Sequence, residues 1–172
     1  PETALYHETL PREQAVVFQA YPDVGVAHER FIIGESLDEI CSEMSGRLFS
    51  RVREELSLAY FVGASRVTGV NAGMFYFFAG TLPGQADRVL REFSDEVARI
   101  RLGDVAAEEL ERCKNRLKAQ KRIGFQTIGA QSMHAALNET YGLPLNDWKD
   151  YDERVDAIGL VDLGEFATQY FR

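Results

Sequence analysis

The 172-residue sequence has few cysteines, no long apolar run and no surplus of positive charge. Its two cysteines are too few for a disulfide framework. No apolar segment approaches the ~20 residues that a membrane-spanning helix needs. Lys and Arg total 19 against 27 Asp and Glu, a formal net charge of −8. Nucleic-acid binding and docking on anionic lipid both need surplus positive charge, so we expect no nucleic-acid partner and no membrane span.

The sequence patterns of common catalytic sites are also missing. His7, His28 and His134 form neither H-E-x-x-H nor H-x-x-E-H, and there is no Cys-x-x-Cys, so we expect this chain to bind no zinc or other metal. No G-x-S-x-G nucleophile motif and no glycine-rich phosphate loop is present. Cys41 and Cys113 lie at apolar helical positions, which predicts small buried side chains rather than catalytic thiolates.

The length and composition are those of one folded domain. Hydrophobic residues make up 45% and charged residues 27%, close to the globular average. We therefore expect a single domain over residues 1–172. Because the chain begins at Pro1 rather than at a methionine, we expect a processed or excised product, and the missing targeting signals assign no compartment.

Three segments have the composition of β-strands. Residues 14–20 predict a strand, and residues 21–25 predict a turn after it. The runs 58–67 and 73–82 predict an antiparallel hairpin with a loop between them. The second run is apolar on both faces around residues 74–78, which predicts a central strand covered on both sides.

Apolar residues at helical spacing predict that most of the remaining chain is helical. The predicted helices are a long one broken near Ser45-Gly46, a short one over residues 47–55, one over 86–100, one capped by Asp104, one over 126–141 and two in the last 25 residues. This order predicts an α+β domain, an antiparallel sheet with helices packed mainly on one face. Three strands are few for so many helices, so we expect at least one more strand after Arg172.

A basic run over residues 114–122 allows two interpretations. It is typical of a phosphate-binding or acidic-peptide patch. It is equally typical of the solvated face near a helix C-terminus, where cations suit the helix dipole, and the acidic total favours this second interpretation.

The stretch S-G-R-L-F-S-R-V-R-E-E-L-S-L-A-Y, residues 45–60, forms a predicted helix-to-strand corner. Arg53 lies near the end of the short helix, and Tyr60 begins the first strand of the hairpin. Such a corner can direct both side chains into one cleft, and a guanidinium with a phenol is a donor pair suited to carbonyl oxygens. A surface arginine paired with glutamate, beside an interfacial tyrosine, is the alternative, and spacing alone favours it.

This stretch resembles the segment S-S-R-L-F-x-x-[IL]-R-E-x-x-G-L-A-Y of the insulinase/pitrilysin-type zinc metallopeptidases, which include the mitochondrial processing peptidases. In particular, the chain resembles the half of those enzymes that binds no zinc. The similarity covers about residues 14–170 and includes A-G-M-F-Y-F-F in the hairpin and the helix E-E-L-E-R-C-K-N-R-L-K.

The resemblance implies a peptide hydrolase in which two homologous halves enclose a chamber. The partner half, covalently linked or separate, would hold zinc, and this half would supply Arg53 and Tyr60. Tyr60 would hydrogen-bond the scissile carbonyl or its oxyanion, and Arg53 would hold a nearby backbone carbonyl of the peptide substrate. The assembled enzyme would hydrolyse unfolded peptides with zinc-activated water, and this chain alone would be inactive.

Two departures from the family pattern matter. The glycine that precedes L-A-Y in the family is Ser57 here, at a position where glycine would permit a positive φ, so we expect a slightly adjusted corner. The last strand of the family is not in this sequence, which we interpret as truncation or a further C-terminal tail rather than as a different fold. A catalytically inert scaffold or binding subunit of the same fold is the alternative function, because one sequence cannot show that Arg53 and Tyr60 are used.

Overall fold

The computed structural model describes residues 13–42 and 46–172. The predicted helix break at Ser45 and the histidine at residue 7 lie outside these ranges. The described elements are β1 (Ala15–Val24), α1 (Phe31–Ser42), a π-helical segment (Phe49–Glu55), β2 (Ala59–Thr68), β3 (Ala72–Thr81), a 3₁₀ turn (Pro83–Gln85), α2 (Ala86–Arg101), α3 (Ala107–Gly124), α4 (Ile128–Tyr141), a second 3₁₀ turn (Asp147–Asp150), α5 (Tyr151–Asp156) and α6 (Leu160–Tyr170).

The sheet has the order β1-β3-β2, and both pairings are antiparallel. The predicted hairpin is confirmed, because β2 and β3 pair from Thr68–Gly73 to Ala59–Thr81. The turn predicted at residues 21–25 is wrong, since β1 continues through Val24 and Pro22 pairs with Met74. Proline is tolerated there because β1 is an edge strand, where a missing N–H need not break a ladder.

Strand β3 is central, as predicted, but it is not covered on both sides. Phe75 and Phe77 are fully buried on the side where α2 and α6 pack. On the other side Met74 is 40% and Phe18 62% exposed. Within the described ranges the helices lie on one face only, which confirms the α+β class. The open face is partly shielded by its own rings, such as the pair Phe18 and Phe78 with centroids 6.4 Å apart.

The start of α3 differs from the prediction. Asp104 does not cap this helix, which begins at Ala107. The backbone N–H of Ala106 instead donates to the Glu109 carboxylate at 2.8 Å, so an acid inside the first turn satisfies the helix end. The two cysteines are buried, as predicted. Burial raises the pKa of the Cys41 thiol well above its usual value, which keeps it protonated and unreactive.

The basic run of residues 114–122 is largely neutralised within the fold. Arg116 pairs with Glu39 of α1 at 2.7 Å, and Lys118 pairs with Asp156 of α5 at 2.6 Å. These contacts join α3 to its neighbours, so the run is neither a free phosphate patch nor a purely solvated face.

Helix α4 exists as predicted, but its apolar side chains are not in the core. Thr127 caps it by accepting a hydrogen bond from the N–H of Ala130 at 3.2 Å, and Gly142 ends it with a φ of 71°. Ile128 is 83% and Met133 62% exposed. Helical periodicity therefore predicted the helix correctly, although not which surface it packs against.

Candidate functional site: a helix-to-strand corner

The corner between the π-helical segment and β2 is anchored by buried apolar side chains. Leu48, Val52 and Leu58 are each at most 5% exposed. The N–H of Leu56 donates to the carbonyl of Arg51 at 3.2 Å, the five-residue spacing of a π-helix. This geometry turns Val52 into the core and leaves the next residue, Arg53, on the surface.

Another arginine of the same motif, Arg47, is structural. Its guanidinium contacts the carboxylate of buried Glu96 at 2.6 Å and those of Asp104 and Glu109 at 3.6 Å. It therefore ties the start of the corner to α2 and to the beginning of α3. Glu96 remains costly to ionise in this position, because burial raises its pKa more than Arg47 lowers it.

Ser57 itself adopts a positive φ, at the position where the family has a glycine. Its φ of 51° lies in the left-handed region, where a residue with a Cβ is disfavoured. Hydrogen bonds hold the backbone of the next residue, Leu58, at both its N–H and its carbonyl. The N–H of Leu58 donates to the carbonyl of Val52 at 2.9 Å, and the hydroxyl of buried Thr81 donates to the carbonyl of Leu58 at 2.5 Å.

Tyr60 stands at an irregularity in the sheet. Ala59 pairs with Thr81 and Phe61 with Gly80, so Tyr60 is an extra residue between two consecutive partners. Such a bulge redirects a side chain away from the regular alternation, and Tyr60 is 61% exposed. Beside this bulge Gly80 pairs with Phe61, and a Cβ at Gly80 would lie 2.2 Å from the Phe61 ring, so a larger residue there would require that ring to move.

The structure brings Arg53 and Tyr60 to one cleft of about 370 Å³. Arg53 lies with its guanidinium carbon 4.9 Å from the centre of the Phe49 ring, and among the described residues no carboxylate pairs with it. The neighbouring Arg51 takes that role instead, with Glu55 at 2.8 Å and Glu92 at 3.0 Å. Arg53 and Tyr60 thus present donor groups to solvent in the same concave surface.

Two lining residues were not foreseen from the sequence. Leu82 and Gln85 also border the cleft, although they lie more than twenty residues beyond Tyr60. The hairpin prediction could have located them, because pairing the start of the first strand with the end of the second places residues 82–85 beside the corner.

Comparisons with known proteins agree on the family of this fold. The sequence model of the peptidase M16 inactive domain matches residues 2–117. The uncharacterized zinc protease YmxG of Bacillus subtilis is 26% identical over 152 residues, which are 88% of this chain and 36% of that protein.

The chain belongs to the peptidase M16 family, as its inactive domain. Solved structures share the fold. A conserved protein from Enterococcus faecalis has a TM-score of 0.80 at 26% identity, covering 95% of this chain and 38% of that one. The peptidase M16 inactive domain from Pseudomonas fluorescens has a TM-score of 0.83 at 18% identity, covering 95% and 39%.

The described residues contain no group of three His, Cys, Asp or Glu side chains that could hold a metal ion. They therefore do not fit a zinc ion, although the relatives are named zinc proteases. None of the helices described here combines the length and hydropathy needed to cross a bilayer. The chain is the non-catalytic half-domain of a zinc-protease family and spans about a third of the Bacillus relative.

Proposed function

We propose that this domain is the substrate-contacting half of a zinc-dependent endopeptidase, inactive alone and completed by a homologous half that holds the zinc. The observation that carries the proposal is the shared cleft of Arg53 and Tyr60. Both polar groups are exposed, while the other arginines of the motif are occupied by carboxylates.

The two side chains have distinct roles in this proposal. The Tyr60 hydroxyl donates to the scissile carbonyl oxygen as negative charge develops there. The Arg53 guanidinium donates to a neighbouring carbonyl of the peptide backbone. Thr81 and buried Leu58 hold the backbone of the corner in place, so the backbone that carries these donors needs little reorganisation when substrate binds. The open aromatic face that continues from Phe61 suits an unfolded peptide with apolar side chains.

Reconstitution tests the proposal. The domain is combined with the zinc-binding half, and cleavage of a mixed peptide pool is followed with and without a chelator. We expect activity only with both halves and zinc, and Tyr60→Phe should lower kcat by about 10²–10³-fold, the usual effect of losing one oxyanion donor.

Tyr76→Phe is the matched control, because it removes a hydroxyl that does not line the cleft and keeps the aromatic ring on the open sheet face. It should retain full activity. A stable complex that cleaves nothing in the presence of zinc would replace the proposal by an inert scaffold or binding subunit. An active complex in which Tyr60→Phe equals the wild type would leave the peptidase assignment standing and remove the role of Tyr60.

A further inference from the structure

A second cavity, of about 300 Å³, lies among α1, α4, α5 and the end of α3. It shares no residue with the Arg53–Tyr60 cleft. Its volume is at the lower end of the range for small-molecule sites. Part of its wall is apolar, and this part includes Val26, Ile32, Leu137 and Leu143.

One tyrosine in this cavity connects a cation and an acid that do not pair with each other. The Lys121 ammonium lies 4.7 Å from the centre of the Tyr151 ring and 5.0 Å from that of Phe125. The Tyr151 hydroxyl lies 3.4 Å from the Glu35 carboxylate. Among the described residues, neither Lys121 nor Glu35 is in a direct ion pair, although the charge of Arg66 also acts on Glu35 at longer range.

Of the other charged groups that line the cavity, Glu29 is exposed to solvent. Arg154 pairs with Asp147 at 2.9 Å and with Asp150 at 3.4 Å. His28 accepts the N–H of Arg30 at 3.0 Å. His134 stacks on Phe125, and both burial and the Lys121 charge lower its pKa, so it is a neutral donor or acceptor.

Isolated ions do not suit this arrangement. A simple anion attracted to Lys121 meets the carboxylate of Glu35, and a simple cation attracted to Glu35 meets Lys121. No group of three metal-ligating side chains is present in the described ranges. A molecule with one carboxylate and one ammonium satisfies both residues at once, and an apolar substituent on it would face the aliphatic wall.

We propose that this cavity binds a free amino acid with an apolar side chain, its carboxylate at Lys121 and its ammonium at Glu35. Burial raises the pKa of Glu35, so an incoming ammonium also relieves the cost of holding that carboxylate ionised. The proposal stands on this cavity alone and does not depend on a peptidase role for the corner.

Three probes that share the leucine side chain test it on the unsubstituted domain. L-leucine carries both charges, N-acetyl-L-leucine lacks the ammonium, and L-leucinamide lacks the carboxylate. Binding is followed through the ring proton resonances of His134 and Tyr151 during titration. We expect saturable binding of leucine, with each blocked probe about tenfold weaker or worse, as for the loss of a charge-assisted hydrogen bond.

Variants then assign the charges to residues. Lys121→Met should lower the affinity for leucine by about tenfold and leave the affinity for leucinamide unchanged. Glu35→Gln should lower the affinity for leucine and leave the affinity for N-acetyl-leucine unchanged. Lys149→Met, a lysine outside the cavity, is the matched control and should bind as the wild type does.

Three results would overturn the proposal: no saturable binding of leucine, equal binding of all three probes, or equal losses in Lys121→Met and Lys149→Met. If Lys121→Met fails to fold, the three probes on the unsubstituted domain still decide.

Discussion

Both sides of the sheet carry aromatic side chains, but the two sides differ in what covers them. On the helix-covered side Phe75 and Phe77 have no exposed surface. On the open side Phe18 is 62% and Phe61 45% exposed. The covered side therefore supplies the stability, while the open side leaves a surface next to Tyr60 on which another molecule can lie.

Charged groups follow the same division. Under the helices, Arg66 of β2 contacts Asp23 of β1 at 2.5 Å, with side chains only 4% and 0% exposed. At the open corner, Arg51 and Glu55 pair at 2.8 Å but are 41% and 59% exposed. A buried pair holds the two edge strands together at a high desolvation cost, whereas an exposed pair contributes little.

The largest effect should come from truncating a ring on the covered side. Phe77→Ala should lower the free energy of unfolding by about 3–5 kcal/mol, because it removes a fully buried ring and leaves a cavity. Its neighbour Phe78 is the control, since it has the same chemistry on the open side, where Phe78→Ala should cost about 1 kcal/mol. Chemical denaturation measures both, and equal losses would show that the open side is also packed.

A smaller loss is expected from the buried ion pair. Asp23→Asn keeps the shape but leaves the Arg66 guanidinium without its carboxylate, which should cost about 3 kcal/mol. Glu55→Gln removes the carboxylate from the exposed pair and should cost less than about 1 kcal/mol. Urea unfolding measures both losses. Equal losses in the free energy of unfolding for Asp23→Asn and Glu55→Gln would contradict the difference expected between the buried and the exposed pair.

The smallest effect should come from the corner, where the chain passes from buried Leu58 to exposed Tyr60. Ser57→Gly should raise the free energy of unfolding by about 0.5–1 kcal/mol, because glycine has no Cβ to disfavour a φ of 51°. Ser65→Gly, in the regular part of β2, is the control and should be destabilising by a similar amount. A destabilised Ser57→Gly would mean that the serine side chain makes a contribution larger than its strain.

Local patterns predicted most elements because they report on local physics. Turn residues between two β-rich runs were enough to predict the hairpin, and helical spacing of apolar residues was enough to predict α2 and α4. The patterns failed where packing partners decide the outcome. Pro22 continues a strand because β1 is at an edge of the sheet, and apolar residues of α4 such as Ile128 and Met133 are exposed because no element in the described part of the chain packs over them.

Some features of the candidate site were likewise predictable from local sequence, and others depended on packing partners. The motif over residues 45–60 identified Arg53 and Tyr60 by their positions, and it led to the family. It could not show that Arg47 and Arg51 are paired while Arg53 is not, because the acids that occupy the first two lie mainly on α2 and α3. It also gave no indication that Lys121, inside an ordinary basic run, faces Glu35 across Tyr151.

The sequence by itself determined the element types, the α+β class, the family and the absence of a zinc motif, because each depends on residues close together in the chain. Only the tertiary structure decided which arginine stays unpaired, which face of the sheet stays open and which charges share a cavity. These properties depend on contacts between residues far apart in sequence, where burial and charge are set by whatever element packs alongside.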